Sequence, residues 1–141
     1  MLAVTFNTLA QPATSVAFKP INVAILLFDD VELLDFAGPG EVFQKASFND
    51  GQAFHVYTVA VDKKEIISQS FLNVTAQYLT EDCPIPDILV IPGGNTFNQV
   101  SNEKLISWIS RVNQQADYVL SVCNGVRLLA KTGALNGLTA T

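Results

Sequence analysis

The chain has 141 residues, 49% of them apolar and 15% charged, which suits one compact domain that buries roughly two thirds of its unfolded surface. Eight Lys and Arg against 13 Asp and Glu give a net charge of -5, and no basic cluster exceeds Lys63-Lys64, so direct nucleic-acid binding is not expected. No apolar run reaches bilayer length, and two cysteines, Cys83 and Cys123, neither build a disulfide framework nor carry metal-ligand spacing.

Residues 1–20, "MLAVTFNTLAQPATSVAFKP", have no charged side chain before Lys19 and are expected to be an extension preceding the first strand. The "TLAQ" run also reads like the end of a secretory signal. Residues 1–11 would then be a signal-peptide remnant and the protein exported. The apolar stretch is short and has no basic region before it, so the cytoplasm is the expected compartment.

From residue 21 to 141, apolar runs of strand length alternate with segments of helical period, without repeats or low-complexity linkers. "INVAILLF" (Ile21 to Phe28) predicts a parallel strand covered on both faces. After the acidic turn Asp29-Asp30, "ELLDFAGPGEVFQKA" predicts a helix with Pro39 near its first turn. The turn "NDG" ends that element, and Phe54 to Val61 predicts a second strand. "EIISQ" and "LNVTA" are short extended pieces that form a hairpin or lie on the sheet edge.

"PDILVIPGG" (Pro86 to Gly94) predicts a third buried strand running into a glycine turn. Ser101 is placed to cap a helix with Glu103 in its first turn. Leu105, Ile106, Ile109 and Val112 would face the sheet, leaving Arg111, Asn113 and Gln114 towards water. Tyr118 to Val122 predicts a fourth buried strand, followed by a helix from Asn124 to about Thr132 that Gly133 closes. The alternation predicts an α/β fold with a mainly parallel sheet flanked by helices.

Ligands in such sheets gather outside the carboxyl ends of the strands. Cys123, the "PGG" glycines and the Asp30 to Asp35 segment all follow predicted strand ends. Cys123 falls in a sharp strand-to-helix turn, with Gly125 to relieve crowding, in the manner of a nucleophile elbow with sulfur in place of oxygen. Unpaired N–H groups at the helix start would stabilise negative charge there. A free cysteine most often fills a small apolar gap instead, and position alone leaves these two readings balanced.

"VAILLFDDVELLDFAGPGEVF", "DILVIPGG" and "SVCNG" with "LLAKTGALNGLTAT" resemble, in this order, the ThiJ/PfpI superfamily, which shares the class I glutamine amidotransferase-like, flavodoxin-like fold. Together they cover most of Asn22 to Thr141. The "LLDFAGP" block most resembles the isocyanide hydratase-like branch and the ligand-binding domains fused to AraC-type regulators. The resemblance implies Cys123 as nucleophile and Asp35 as its acidic partner, which when protonated donates a hydrogen bond to the thiolate. It also implies Gly93, Gly94 and the N–H of Asn124 as backbone donors to developing negative charge. Apart from the resemblance, Asp35 would be a helix-end carboxylate, and the glycines a turn that only glycine tolerates.

Asn124 stands where isocyanide hydratase-like relatives usually carry threonine. Arg127 is larger than the residue usual there; with Lys131 it is expected on a solvated helix face, and reach to an anionic ligand is the lesser alternative. Asp29, Asp30 and Glu32 lack calcium-loop spacing and are expected to form a solvated rim. His55, the single histidine, is expected to be structural. Relatives continue beyond the position of Thr141, so the domain is expected to be incomplete at its C-terminus, with an uncovered sheet edge.

Two functional classes follow from the resemblance. One is a cysteine-dependent hydratase or lyase acting on a small electrophile, an isocyanide or reactive carbonyl, with no metal or organic cofactor and as a homodimer. The other is a non-catalytic domain that binds a small molecule or senses oxidation at Cys123, related to the N-terminal domains of AraC-type regulators.

Overall fold

A computed structural model describes residues 18–48 and 51–139. The proposed leader within residues 1–17, the Asn49-Asp50 turn and the final Ala140-Thr141 lie outside the described residues. No helix among those described is long and apolar enough to cross a membrane.

The chain runs β1 (Ile21–Leu26), α1 (Leu33–Lys45), β2 (Ser47–Phe48), β3 (Gly51–Gln52), β4 (Phe54–Ala60), β5 (Glu65–Ser68), β6 (Leu72–Thr75), β7 (Tyr78–Leu79), β8 (Ile88–Ile91), α2 (Thr96–Gln99), α3 (Glu103–Asn113), β9 (Tyr118–Ser121), a 3₁₀ turn (Cys123–Gly125) and α4 (Val126–Lys131). The main sheet has the order β7-β4-β1-β8-β9 and is parallel throughout. β1 is central because it pairs on both sides, Val23 opposite Val56 of β4 and Ile88 of β8.

Period-2 alternation divides the sheet residues between two faces. Ala24, Leu26, Leu89 and Ile91 belong to the larger core, closed by Leu105, Trp108, Ile109 and Val112 of α3 and Leu128 and Leu129 of α4. Val23, Ile25 and Val90 point the other way, against Phe36 and Phe43 of α1. α1 itself has no fully buried residue, and Leu34 and Val42 on it are exposed.

Several expectations are corrected in detail. Pro39 lies inside α1 rather than in its first turn, so it offers no N–H to the carbonyl of Asp35 four residues earlier. The cap of α3 is Asn102, not Ser101; its side chain accepts the Leu105 N–H at 3.1 Å. Trp108 takes the inward position expected of Ile106, which is only partly buried. β9 is half-exposed rather than buried: it is the last strand of the sheet among the described residues, and Tyr118 and Leu120 are 71% and 43% accessible. β2, β3, β7 and α2, each four residues or fewer, are additions to the expected elements.

The acidic turn is solvent-accessible, as expected, the Asp29 side chain being 45% exposed, but its carboxylates are held by hydrogen bonds rather than free. β5 and β6 form an antiparallel hairpin, and its turn, with Gln69 and Ser70 at positive φ, folds onto the acidic residues. Ser70 Oγ donates to Asp30 Oδ1 at 2.9 Å, and Gln69 Nε2 donates to Glu32 Oε1 at 2.8 Å. The Ile67 N–H donates to Asp29 Oδ1 at 3.0 Å, and the buried Ser68 hydroxyl donates to the Val31 carbonyl at 2.7 Å. Asp29 also pairs with Lys63 at 2.8 Å. Burial alone would push the Asp29 carboxyl up, but Lys63 and the Ile67 N–H outweigh it and hold the carboxyl below its usual range. The hairpin thus clamps the segment that leads into Asp35.

Candidate active site

The rim at the carboxyl ends of β1, β8 and β9 brings the three expected blocks together. The loop after β1 crosses the turn after β8: Val31 bridges Gly94, the Glu32 N–H donates to the Gly93 carbonyl at 3.0 Å, and the Asn95 N–H donates to the Asp30 carbonyl at 3.0 Å. Such a crossing demands glycine at 94. Its φ is +124°, and a Cβ there would collide with the Asp30 carbonyl and the Val31 backbone.

Beyond this crossing the chain enters α1, and Asp35 in its first turn reaches back to accept the Gly93 N–H on Oδ2 at 3.0 Å. A methyl group placed on Gly93 would lie 2.7 Å from Asp35 Oδ2, 2.7 Å from Asn124 Oδ1 and 2.9 Å from Cys123 Cβ. Asp35, Asn124 and Cys123 therefore converge on one buried glycine, and the Asp35 carboxylate lies within about 6 Å of the Cys123 Cβ.

Cys123 follows β9 after one further residue, Val122, whose N–H donates to the Ile91 carbonyl at 2.9 Å. The backbone then reverses: Cys123 has φ +54°, a left-handed conformation uncommon for a side-chain-bearing residue and of order 1–2 kcal/mol unfavourable. Strain of this kind persists only where surrounding structure imposes it. Here the imposing contact is Gly125, packed so closely on β8 that a Cβ would run into the Ile91 and Pro92 carbonyls. The expected start of a helix at Asn124 is instead a 3₁₀ turn over Cys123–Gly125, and α4 begins at Val126. Gly133 has φ +83°, as expected for the residue that ends this helix.

Cys123 is exposed at the rim, as a reactive thiol requires. The other cysteine makes the contrast. Cys83 is partly buried, borders a separate cavity of about 150 Å³ beside Trp108 and Arg111, and burial pushes its thiol up.

Two of the three backbone donors expected beside the sulfur are already engaged. The Gly93 N–H is taken by Asp35, and the Gly94 N–H donates to Asn124 Oδ1 at 3.0 Å. Asn124 completes a two-bond ring by donating Nδ2 to the Gly94 carbonyl at 2.9 Å. This ring uses an amide carrying both a donor and an acceptor, which threonine could not duplicate in the same form. Asn124 is thus a fastener between the elbow and the glycine turn.

His55 stands at the opposite end of the strands, near the start of β4, where its Nδ1 lies 3.1 Å from Asn22 Oδ1. It takes no part in the rim. Arg127 does not simply face water: its guanidinium carbon sits 3.8 Å from the centre of the Phe97 ring. Phe97, in the unexpected α2, had no sequence signal beyond its place three residues after Gly94.

A family model described as the DJ-1/PfpI family matches residues 21–141. An isonitrile hydratase of Pseudomonas putida is 34% identical over 122 residues, which are 86% of this chain and 51% of that protein. The HTH-type transcriptional regulator GbdR of Pseudomonas aeruginosa is 23% identical over 120 residues, 84% of this chain and 33% of the regulator. Among solved structures, a ThiJ/PfpI family protein from Pseudomonas syringae superposes with a TM-score of 0.75 at 22% identity, covering 94% of this chain and 55% of that one. The chain thus spans about half the length of the hydratase and a third of the regulator.

Proposed function

The chain belongs to the DJ-1/PfpI family, and from that premise we propose that it is the nucleophile-bearing portion of a cysteine-dependent hydratase acting on a small electrophile, an isocyanide or reactive carbonyl. The observation that carries this reading is the strained, exposed Cys123 sharing one glycine with the Asp35 carboxylate. The likeness to the isonitrile hydratase supports the substrate class.

For an isocyanide R–NC, the Cys123 thiolate forms a bond to the terminal carbon, and a proton delivered to that carbon by way of Asp35 gives a thioimidate, R–N=CH–S–Cys. Water then adds to the same carbon, nitrogen takes up one of its protons, the other returns to Asp35, and the thiolate departs with its electron pair. The product is the formamide R–NH–CHO, so the net change is addition of one water. Asp35 is the proton carrier in this scheme because its carboxylate and the Cys123 Cβ converge on Gly93. For Gly94 to supply a free N–H to a developing charge, the Asn124 ring would have to open, whereas the Asn124 backbone N–H takes no part in that ring.

The engagement of the Gly93 and Gly94 N–H groups favours a second reading, in which the same rim binds a ligand or senses oxidation without turnover. The match to GbdR supports this version. An alkyl isocyanide followed by NMR separates the two: formamide that appears with wild type and is lost in Cys123→Ser supports the enzyme. Formamide production that persists in Cys123→Ser rules out the covalent route. No product, together with a ligand-induced rise in melting temperature, supports the binding module.

A further inference from the structure

We propose that Arg127, held against Phe97, forms an anion subsite beside Cys123, so that the preferred electrophile carries a carboxylate near the carbon attacked. This rests on the reading of Cys123 as a nucleophile and narrows its substrate class.

Arg127 lies in the first turn of α4, four residues after Cys123. Helical side chains lean towards the N-terminus of their helix, which here is the elbow. The aromatic partner comes from the other wall of the rim: Phe97 belongs to α2, which follows the Gly93-Gly94 turn directly and packs on α4. The two segments that meet at Cys123 therefore each contribute one half of the stack.

The stack fixes the guanidinium without consuming its hydrogen-bonding capacity. Contact with a ring face engages the π surface of the cation, and the N–H groups in its plane remain directed outward, in the fork that matches a carboxylate. The chain carries an excess of acidic residues, yet among the described residues the ion pairs are Lys63–Asp29 and Lys104–Asp62, and Arg127 is in neither. Phe97 is 64% exposed, and Arg127 is exposed as well. A large aromatic ring left at the surface, covered on one side by an unpaired cation, is poorly explained by packing within the chain. It is well explained as the floor of a small-anion site.

The test compares two alkylating reagents that differ in charge. Iodoacetate and iodoacetamide both form an S–CH₂ bond with expulsion of iodide, and modification at Cys123 is read by peptide mass spectrometry, which also separates it from Cys83. The ratio of the iodoacetate rate to the iodoacetamide rate is expected to fall roughly threefold in Arg127→Gln, the scale of one exposed charge pair, and taking the ratio cancels any change in thiolate fraction common to both reagents. Arg127→Lys should retain most of the preference, and Lys131→Gln, which removes the same charge one turn further along, should leave the ratio as it is. A ratio unaffected by Arg127→Gln, or lowered equally by Lys131→Gln, overturns the subsite while leaving the nucleophile in place. A Cys123 that resists both reagents in folded wild type overturns the nucleophile reading itself. If Arg127→Gln does not fold, salt supplies the same decision in wild type: the ratio falls with added NaCl if a local cation attracts the reagent, and a flat or rising ratio refutes the subsite.

Discussion

The Asn124 side-chain amide pairs with both backbone polar groups of Gly94, donating to the carbonyl at 2.9 Å and accepting the N–H at 3.0 Å. Two partly buried hydrogen bonds across 30 residues of sequence tie the elbow to the glycine turn, and each contributes roughly 0.5–1.5 kcal/mol. Asn124→Ala should therefore lower unfolding free energy by about 1–3 kcal/mol in urea titration. Asn124→Asp, which keeps the acceptor and loses the donor, should fall between the two. If Asn124→Ala is as stable as wild type, the ring does not fasten the site.

Gly125 and Gly38 should respond in opposite directions to the same substitution. A Cβ on Gly125 meets backbone carbonyls of Ile91 and Pro92, which cannot yield without shifting β8. Gly125→Ala should cost roughly 3 kcal/mol or more, the range reached by overpacking and backbone strain, and should alter reactivity at Cys123. Gly38 lies inside α1 with nothing within 4 Å of its Cβ position. Gly38→Ala should stabilise by less than the roughly 0.5–1 kcal/mol of helix propensity, because the ring of Pro39 crowds a Cβ on the residue before it. Melting temperatures of the two variants check both signs.

The contrast between legible and hidden features follows from range. β1, β4 and β8 are runs of apolar residues paired along their length, and such runs are visible in sequence. β9 has the same composition, but only topology makes it an edge. Tyr78–Leu79 is too short to show any period. Trp108 was recoverable, since it lies three residues after Leu105 and four before Val112 on the same stripe. Pro39 falls mid-helix because the crossing of Val31 with Gly94 ends early enough for α1 to start at Leu33. At the rim, Cys123, Asp35 and the glycines are readable as residues that follow strand ends. The bonds that occupy Gly93 and Gly94 depend on side chains 58 and 30 residues away, which no local pattern encodes.

Acid should release the clamp between the hairpin and the acidic loop. The folded-state carboxyl of Asp29 is held below its usual value of 3.8, so its contribution to stability is present above that pH and is lost as pH falls through the folded-state value. Asp29→Asn keeps an acceptor for the Ile67 N–H and removes only the charge opposite Lys63. The pair is exposed, so the variant should lose roughly 0.2–1 kcal/mol at pH 7. The difference from wild type should shrink towards zero as pH falls through the folded-state value, which lies below 3.8. Urea unfolding of both proteins across this range reads the effect; a gap that is constant with pH would place the stabilisation elsewhere.

The outer edge of β9 should drive association of this chain. Tyr118 and Leu120 lie opposite Ile88 and Val90 of β8 in register, on the face that α1 covers farther in, and they remain 71% and 43% exposed. An unpaired strand edge beside exposed apolar side chains is a ready template for a second strand. Leu120→Lys places a charge on that edge and should reduce the self-associated fraction seen in sedimentation velocity at tens of micromolar, with little change in stability. Net charge makes the test directional: the substitution moves the chain from -5 to -4, which by itself weakens self-repulsion and favours association. A fall in association therefore locates the contact at β9. Val119→Lys is the counterpart, since Val119 packs against the larger core and should destabilise the fold instead. Wild type that remains monomeric at every concentration would show that the exposed edge is protected by its own twist and shortness.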